Sequence, residues 1–177
     1  FNKFPNQKIF LSPEMRSTGE VIGFDKHLGS AYVKAELGAG TKLPKNGIVF
    51  ISVNDSDKNQ IIKISRDFIE MDFKIIATKG TANLLKQNGI KCNKIYKVGE
   101  GRPHIVDEIK NKKIAIIINT PLGAQSRYDE YEIGKAAIKF KVPVITTLSA
   151  ANAILRAIRI MQNKKLTYSS LQEIFAE

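Results

Sequence analysis

The chain has 177 residues, 43% hydrophobic and 25% charged, with 12 Gly, 6 Pro and no Trp. That size and balance describe one globular domain with an appendage and exclude a complete multi-domain enzyme, a fibre or a disordered chain. Lys and Arg number 28 against 17 Asp and Glu, and the net charge of +11 calls for an anionic partner. A lone cysteine, Cys92, rules out an internal disulfide framework or a Cys-based zinc cluster and fits a reducing compartment.

The opening, Phe1-Asn-Lys-Phe-Pro-Asn6, has neither a signal peptide's grammar nor the look of a natural start, so the chain reads as a segment of a longer one. Residues 1–44 carry six basic and four acidic groups and few periodic apolar positions. Asp25 is a candidate N-cap for a short helix through Leu37, which Gly38-Ala-Gly40 ends. Gly38 to Gly47 reads as a linker, with a boundary near residue 44 between an N-terminal tail (1–44) and a domain (45–177) holding +9 of the charge.

From there strand and helix alternate. Ile48 to Val53 is an apolar strand, Asp55-Ser-Asp57 a cap, and Ile61, Ile64, Phe68 and Met71 share one face of a helix. Phe73 to Ala77 is a second strand and Thr81 to Asn88 a short helix that Gly89 closes. Lys94 to Val98 is the candidate third strand, and Pro103 opens a helix to about Lys110. A fourth strand spans Lys113 to Asn119 and a helix Asp129 to Phe140; a fifth strand spans Val142 to Ile145 and a helix Ser149 to Met161. Five alternations with strands apolar on both faces predict an α/β three-layer sandwich, a Rossmann-like five-stranded parallel sheet between helices. The longest apolar run, Ile114 to Ile118, is of strand length, so the chain is expected to be cytoplasmic with no membrane partner.

Ligands of such sheets bind beyond the carboxyl ends of the strands, so the residues that follow each strand are the candidates. Thr78-Lys-Gly-Thr81 follows a strand and opens a helix. It is either an anion cradle, in which Gly80 permits close backbone approach, or a plain helix start with Thr as N-cap. Lys58 opposes the dipole of its helix unless an anion compensates it. Lys97 and Arg102 follow the third strand; singly each is a solvated cation, but several cations converging on one rim make a phosphate site. Asn119 ends the most apolar strand, where a ligand-facing side chain competes with a turn at Pro121. His27 and His104 form no metal pair, and Asp107, Glu108, Asp129, Glu130 and Glu132 read as solvated helix faces. The basic residues are too dispersed, and lack the stacking aromatics, for a nucleic-acid partner.

Phe1-Asn-Lys-Phe-Pro5 and Pro13-Glu-Met-Arg-Ser-Thr-Gly-Glu-Val-Ile-Gly23 resemble the end of the second ATP-grasp unit of the carbamoyl-phosphate synthetase large subunit family. The likeness continues through Ala35-Glu-Leu-Gly38, Thr78-Lys-Gly-Thr-Ala82, Val98-Gly-Glu-Gly-Arg-Pro-His-Ile105, Ile118-Asn-Thr120 and Thr146-Thr-Leu148. It covers essentially the whole chain and implies that residues 45–177 form the methylglyoxal-synthase-like regulatory domain. The parent it implies is a glutamine-hydrolysing ligase that makes carbamoyl phosphate for pyrimidine and arginine synthesis. Its substrates would be bicarbonate, glutamine-derived ammonia and ATP with Mg or Mn, and its partners a glutaminase small subunit and further copies of itself. This stretch, non-catalytic and without a cofactor of its own, would bind UMP or IMP as effector. By the same resemblance Ser52, Lys58, Thr78, Gly80, Thr81, Lys97 and Asn119 would hold the nucleotide. Thr78, Thr81 and the Gly80 backbone would face the phosphate and Lys58 would neutralise it.

Pro121 and Ala124 stand where well-described bacterial members have Thr and Arg, and Val144 where they have an ornithine-contacting Tyr, although Thr146 keeps the neighbouring contact. These departures weigh against ornithine more than against nucleotide. A lyase of the methylglyoxal synthase type and a purely oligomerising domain are the alternatives; the lyase's acid-base set is not seen in Gly101-Arg-Pro-His104 or Ser126-Arg-Tyr-Asp129.

Overall fold

The computed structural model describes residues 21–120 and 127–175. The Pro13-Glu-Met-Arg motif and positions 121 and 124 therefore lie outside the described residues. The elements in chain order are α1 (Leu28–Gly38), β1 (Gly47–Val53), a 3-10 turn (Asp55–Asp57), α2 (Lys58–Glu70), β2 (Phe73–Ala77) and α3 (Lys79–Gln87). There follow β3 (Asn93–Lys94), α4 (Ile105–Lys110), β4 (Ile114–Thr120), α5 (Arg127–Phe140), β5 (Val144–Ile145), α6 (Leu148–Asn163) and α7 (Leu171–Phe175).

The strands form one sheet in the order β3-β2-β1-β4-β5, every neighbouring pair parallel. Alternate side chains of the central strands serve opposite faces. Val49 and Ile51 of β1 join Ile61, Ile64 and Phe68 of α2, Leu85 of α3 and Ile154, Leu155 and Ile158 of α6. Phe50 between them joins Ile105 and Ile109 of α4 and Ile133 and Ala137 of α5 on the other face. This division follows from the right-handedness of parallel crossovers. The chain moves outward from β1 through β2 to β3 and returns through α4 to β4, so the reversal of direction puts α4 and α5 on the face opposite α2 and α3. α1 adds Val33 to the cluster that contains α6.

Several boundaries differ from expectation for local reasons. Asp25 does not cap α1: its Oδ1 accepts from the His27 N–H at 3.0 Å and its other oxygen pairs with Lys34 at 2.8 Å, so the helix starts at Leu28. α3 begins two residues early, because the Ala82 N–H donates to the Thr78 carbonyl at 2.8 Å and closes a turn that includes Gly80. β3 is cut to two residues because its sole strand neighbour, β2, ends at Ala77, where Thr78 turns into α3. β5 is equally short; Pro143 can accept from the Ile117 N–H at 2.9 Å but has no N–H to donate. The short α7 is an element that periodicity did not reveal.

Candidate functional site

Order reversal leaves a crevice where connections depart to opposite sides, between β1 and β4. The two strands end in register there, Ser52 beside Asn119 and Val53 beside Thr120. A cavity of about 340 Å³ opens at this point, floored by Phe50, Ile105 and Ile133 and walled by Ser52, Asn54, Asp55, Ser56, Thr78, Lys97, Asn119, Thr120 and Asp129.

Asn54, the residue after β1, holds the wall together. Its Nδ2 donates to Asp57 Oδ2 at 2.8 Å and to the Thr120 carbonyl at 3.2 Å, and its N–H donates to Thr120 Oγ1 at 3.3 Å. Its Oδ1 accepts from the Asp57 N–H at 3.2 Å and from the Ser56 hydroxyl, so Asn54 caps the 3-10 turn. Asp57 precedes α2 without a side-chain cap bond of its own, contrary to the capping role expected of it. The β1–α2 loop is thereby tied to the end of β4 by side-chain and backbone bonds.

The expected site residues divide into two groups. Ser52, Thr78, Lys97 and Asn119 line the cavity. Thr78 and Asn119 are buried, and the Thr78 hydroxyl donates to Ser52 Oγ at 3.3 Å. Lys58, Gly80, Thr81 and Thr146 are not among the lining residues. Thr81 is 1% exposed and turns toward β1, where its Oγ1 accepts from the Val53 N–H at 3.4 Å. Thr146 is exposed beyond β5, and its neighbour Thr147 caps α6 by accepting from the Ala150 N–H at 3.2 Å. Lys58 stands at the rim, its Nζ 2.5 Å from Oδ1 of Asp55. A Cβ placed on Gly80 would have the same Nζ at 3.8 Å, the nearest atom outside its own helix among the described residues. Lys58 therefore overhangs the first turn of α3, which holds no acidic residue. Thr78, its N-cap, makes no side-chain cap bond, so that turn keeps N–H donors for an anion.

Asp129 departs from its expected role as a solvated helix residue. It sits in the first turn of α5 and lines the cavity. Burial pushes its carboxyl above the ordinary value, with Lys97 opposing and Glu100 reinforcing that shift. Its sequence signal was position, three residues into an acidic helix start that follows a strand end. The signal for Asn54 was an Asn directly after a strand and before a turn. His104 is the N-cap residue of α4, with Nδ1 3.5 Å from Asp107 Oδ2, and does not line the cavity. Its N–H donates to Asp107 at 3.1 Å and chiefly accounts for the lowered Asp107 pKa.

The cavity thus offers hydroxyls, amides and the Lys97 ammonium to an anionic group, with the start of α3 at its rim, and the Asp55 and Asp129 carboxylates to a donor-bearing one. Among the described residues no group of three or more His, Cys, Asp and Glu is placed to hold a metal ion, and no helix is long and apolar enough to cross a membrane.

Residues 60–146 match the MGS-like domain family. Over 98% of its length the chain is 48% identical to the carbamoyl phosphate synthase large chain of Nostoc sp., of which it spans 16%. It is 44% identical over 99% of its length to the C-terminal section of the same large chain in Aquifex aeolicus, of which it spans 34%. The corresponding section in Methanopyrus kandleri is 47% identical over 98% of this chain and spanned to 32%. Among solved structures, methylglyoxal synthase from Elizabethkingia anophelis NUHP1 superposes with a TM-score of 0.51 at 13% identity, covering 76% of this chain and 93% of that one. This last likeness is one of fold.

Proposed function

Because the chain belongs to the carbamoyl phosphate synthase large-chain family, in its MGS-like C-terminal part, we propose that it binds an effector nucleotide of the UMP or IMP type. Through that binding it regulates a ligase that makes carbamoyl phosphate from bicarbonate, glutamine-derived ammonia and ATP. The glutaminase small subunit and self-association belong to that intact enzyme, which works in the cytoplasm with Mg or Mn for its ATP. The supporting observation is the cavity at the β1/β4 switch point, bounded by Thr78 at the start of α3, by Lys97 and by Asn119. The effector's phosphate sits on the N–H groups of α3 beneath Lys58, and its hydroxyl-bearing body faces Asp129 and Asn119. The effector shifts activity by as much as its affinity differs between two states of the neighbouring catalytic unit.

Calorimetry with UMP and IMP tests this. Binding at a hundredfold excess over Kd stabilises by about 2.7 kcal/mol and raises Tm by roughly 5–10 °C. Lys58→Ala weakens it more than Lys164→Ala, a substitution at the far end of α6. No heat with either nucleotide up to millimolar concentration refutes the reading.

One observation favours a lyase of the methylglyoxal synthase type instead, namely the raised pKa of the Asp129 carboxyl within the cavity. No histidine is among the lining residues to act with it. The expected result is no conversion of dihydroxyacetone phosphate to methylglyoxal by the purified chain; turnover would decide for the lyase.

A further inference from the structure

Lys58, the cation that overhangs the start of α3, already holds an anion. Asp55 Oδ1 lies 2.5 Å from its Nζ, and Asp55 is itself a lining residue of the cavity. The 3-10 turn that carries Asp55 is pinned by Asn54, whose side chain bonds Asp57, Ser56 and Thr120. The pair therefore stands between a fixed loop and Gly80, where the same Nζ would meet an added Cβ at 3.8 Å. A phosphate bound on the first turn of α3 and neutralised by Lys58 meets this carboxylate as a second anion on the same ammonium. Two anions cannot both have it at contact distance without repelling each other.

We propose that Asp55 is an internal competitor for Lys58, an affinity-setting residue whose carboxylate holds the ammonium until a phosphate-bearing ligand arrives. The inference rests on reading the cavity as a phosphate-ester site. The pair is solvent-accessible, with the Asp55 side chain 91% exposed, so its strength is that of a surface ion pair and the competition is worth about 1.5- to 5-fold in affinity. Lys58 also holds the Asp55 carboxyl below its ordinary pKa; displacement by ligand returns that pKa toward the usual value.

The test is a double-mutant cycle on the full chain, with calorimetric binding of UMP, IMP and inorganic phosphate to wild type, Asp55→Asn, Lys58→Met and the double variant. Asp55→Asn tightens the probes 1.5- to 5-fold in the Lys58 background and has less than about 1.5-fold effect in the Lys58→Met background. Equal gains in both backgrounds mean a general field effect and overturn the inference, while nucleotide binding itself stands. Weaker binding by Asp55→Asn also overturns it, because Asp55 would then be orienting Lys58 for the ligand. If wild type binds none of the three probes, the site reading fails and the inference fails with it. A carboxyl-carbon NMR titration gives a second readout: the Asp55 pKa rises on saturation with nucleotide, and an unmoved Asp55 pKa at saturation counts against displacement.

Discussion

Replacing Gly80 with alanine separates the needs of the fold from those of the site. The residue is exposed, lies in the first turn of α3 and has no positive φ, so alanine enters without backbone strain. Among the described residues, and apart from its own helix, an added Cβ meets within 4 Å only Lys58 Nζ, at 3.8 Å, an ordinary contact with the end of a flexible side chain. The gain in helix propensity and the smaller unfolded-state entropy together stabilise by up to about 1 kcal/mol. In a chain of this size that raises Tm by roughly 1–4 °C. A phosphate resting on the α3 N–H groups beneath Lys58 meets the new methyl directly. Loss of one charge-assisted hydrogen bond costs about 1.5–3 kcal/mol, which is roughly a 10- to 150-fold weaker Kd. Thermal unfolding and calorimetry on the same preparation give both numbers. A variant that is stabilised yet binds nucleotide as tightly as wild type refutes the placement of the phosphate; a fall in Tm refutes the account of the local backbone.

Further substitutions at Thr81, Asp129, Gly29 and Gly38 probe other links. Thr81→Ala removes the acceptor of the Val53 N–H and lowers stability by about 1–2 kcal/mol, whereas Thr81→Ser keeps the hydroxyl and most of the stability; urea midpoints that coincide would refute the role given to this bond. Asp129 has a folded-state pKa raised by burial above 3.8, so the folded protein binds its proton more tightly than the unfolded chain does. Stability therefore falls as pH rises from about 3.8 through the raised pKa, and Asp129→Asn flattens that part of the stability curve. An unchanged pH profile in the variant contradicts the assignment. Gly29→Ala would set a Cβ 2.8 Å from the Arg156 carbonyl and 2.7 Å from Ile160 Cδ1, levering α1 off α6. The expected cost is about 1–3 kcal/mol in urea unfolding, against little for Gly38→Ala, whose Cβ comes no nearer to the Val21 side chain than 3.4 Å, an ordinary contact.

The α/β class was legible in the sequence because its evidence is local. Apolar runs such as Ile48 to Val53 and Ile114 to Asn119, separated by helical stripes such as Ile61, Ile64 and Phe68, leave few folds that bury both sheet faces. The rule that ligands meet strand ends led to Ser52, Thr78, Lys97 and Asn119, which do come together around one cavity. Element ends were less legible, since β3 stops where its partner strand β2 turns into α3, and partnership is not written along a single strand.

The sequence by itself determined the periodicities, and therefore which residues end strands, since polarity pattern and turn chemistry act over a few neighbours. Only the tertiary structure decided which of those ends share a wall. The strand order places β1 beside β4, so that Asn54 reaches Thr120 across 66 residues of sequence and Asp129 enters a cavity where its burial raises its pKa. Thr81, one of the same local motif as Thr78, turned instead to the Val53 N–H. A side chain is spent on whichever partner packing brings within 3–4 Å, and that distance is set by the sheet order and not by spacing along the chain.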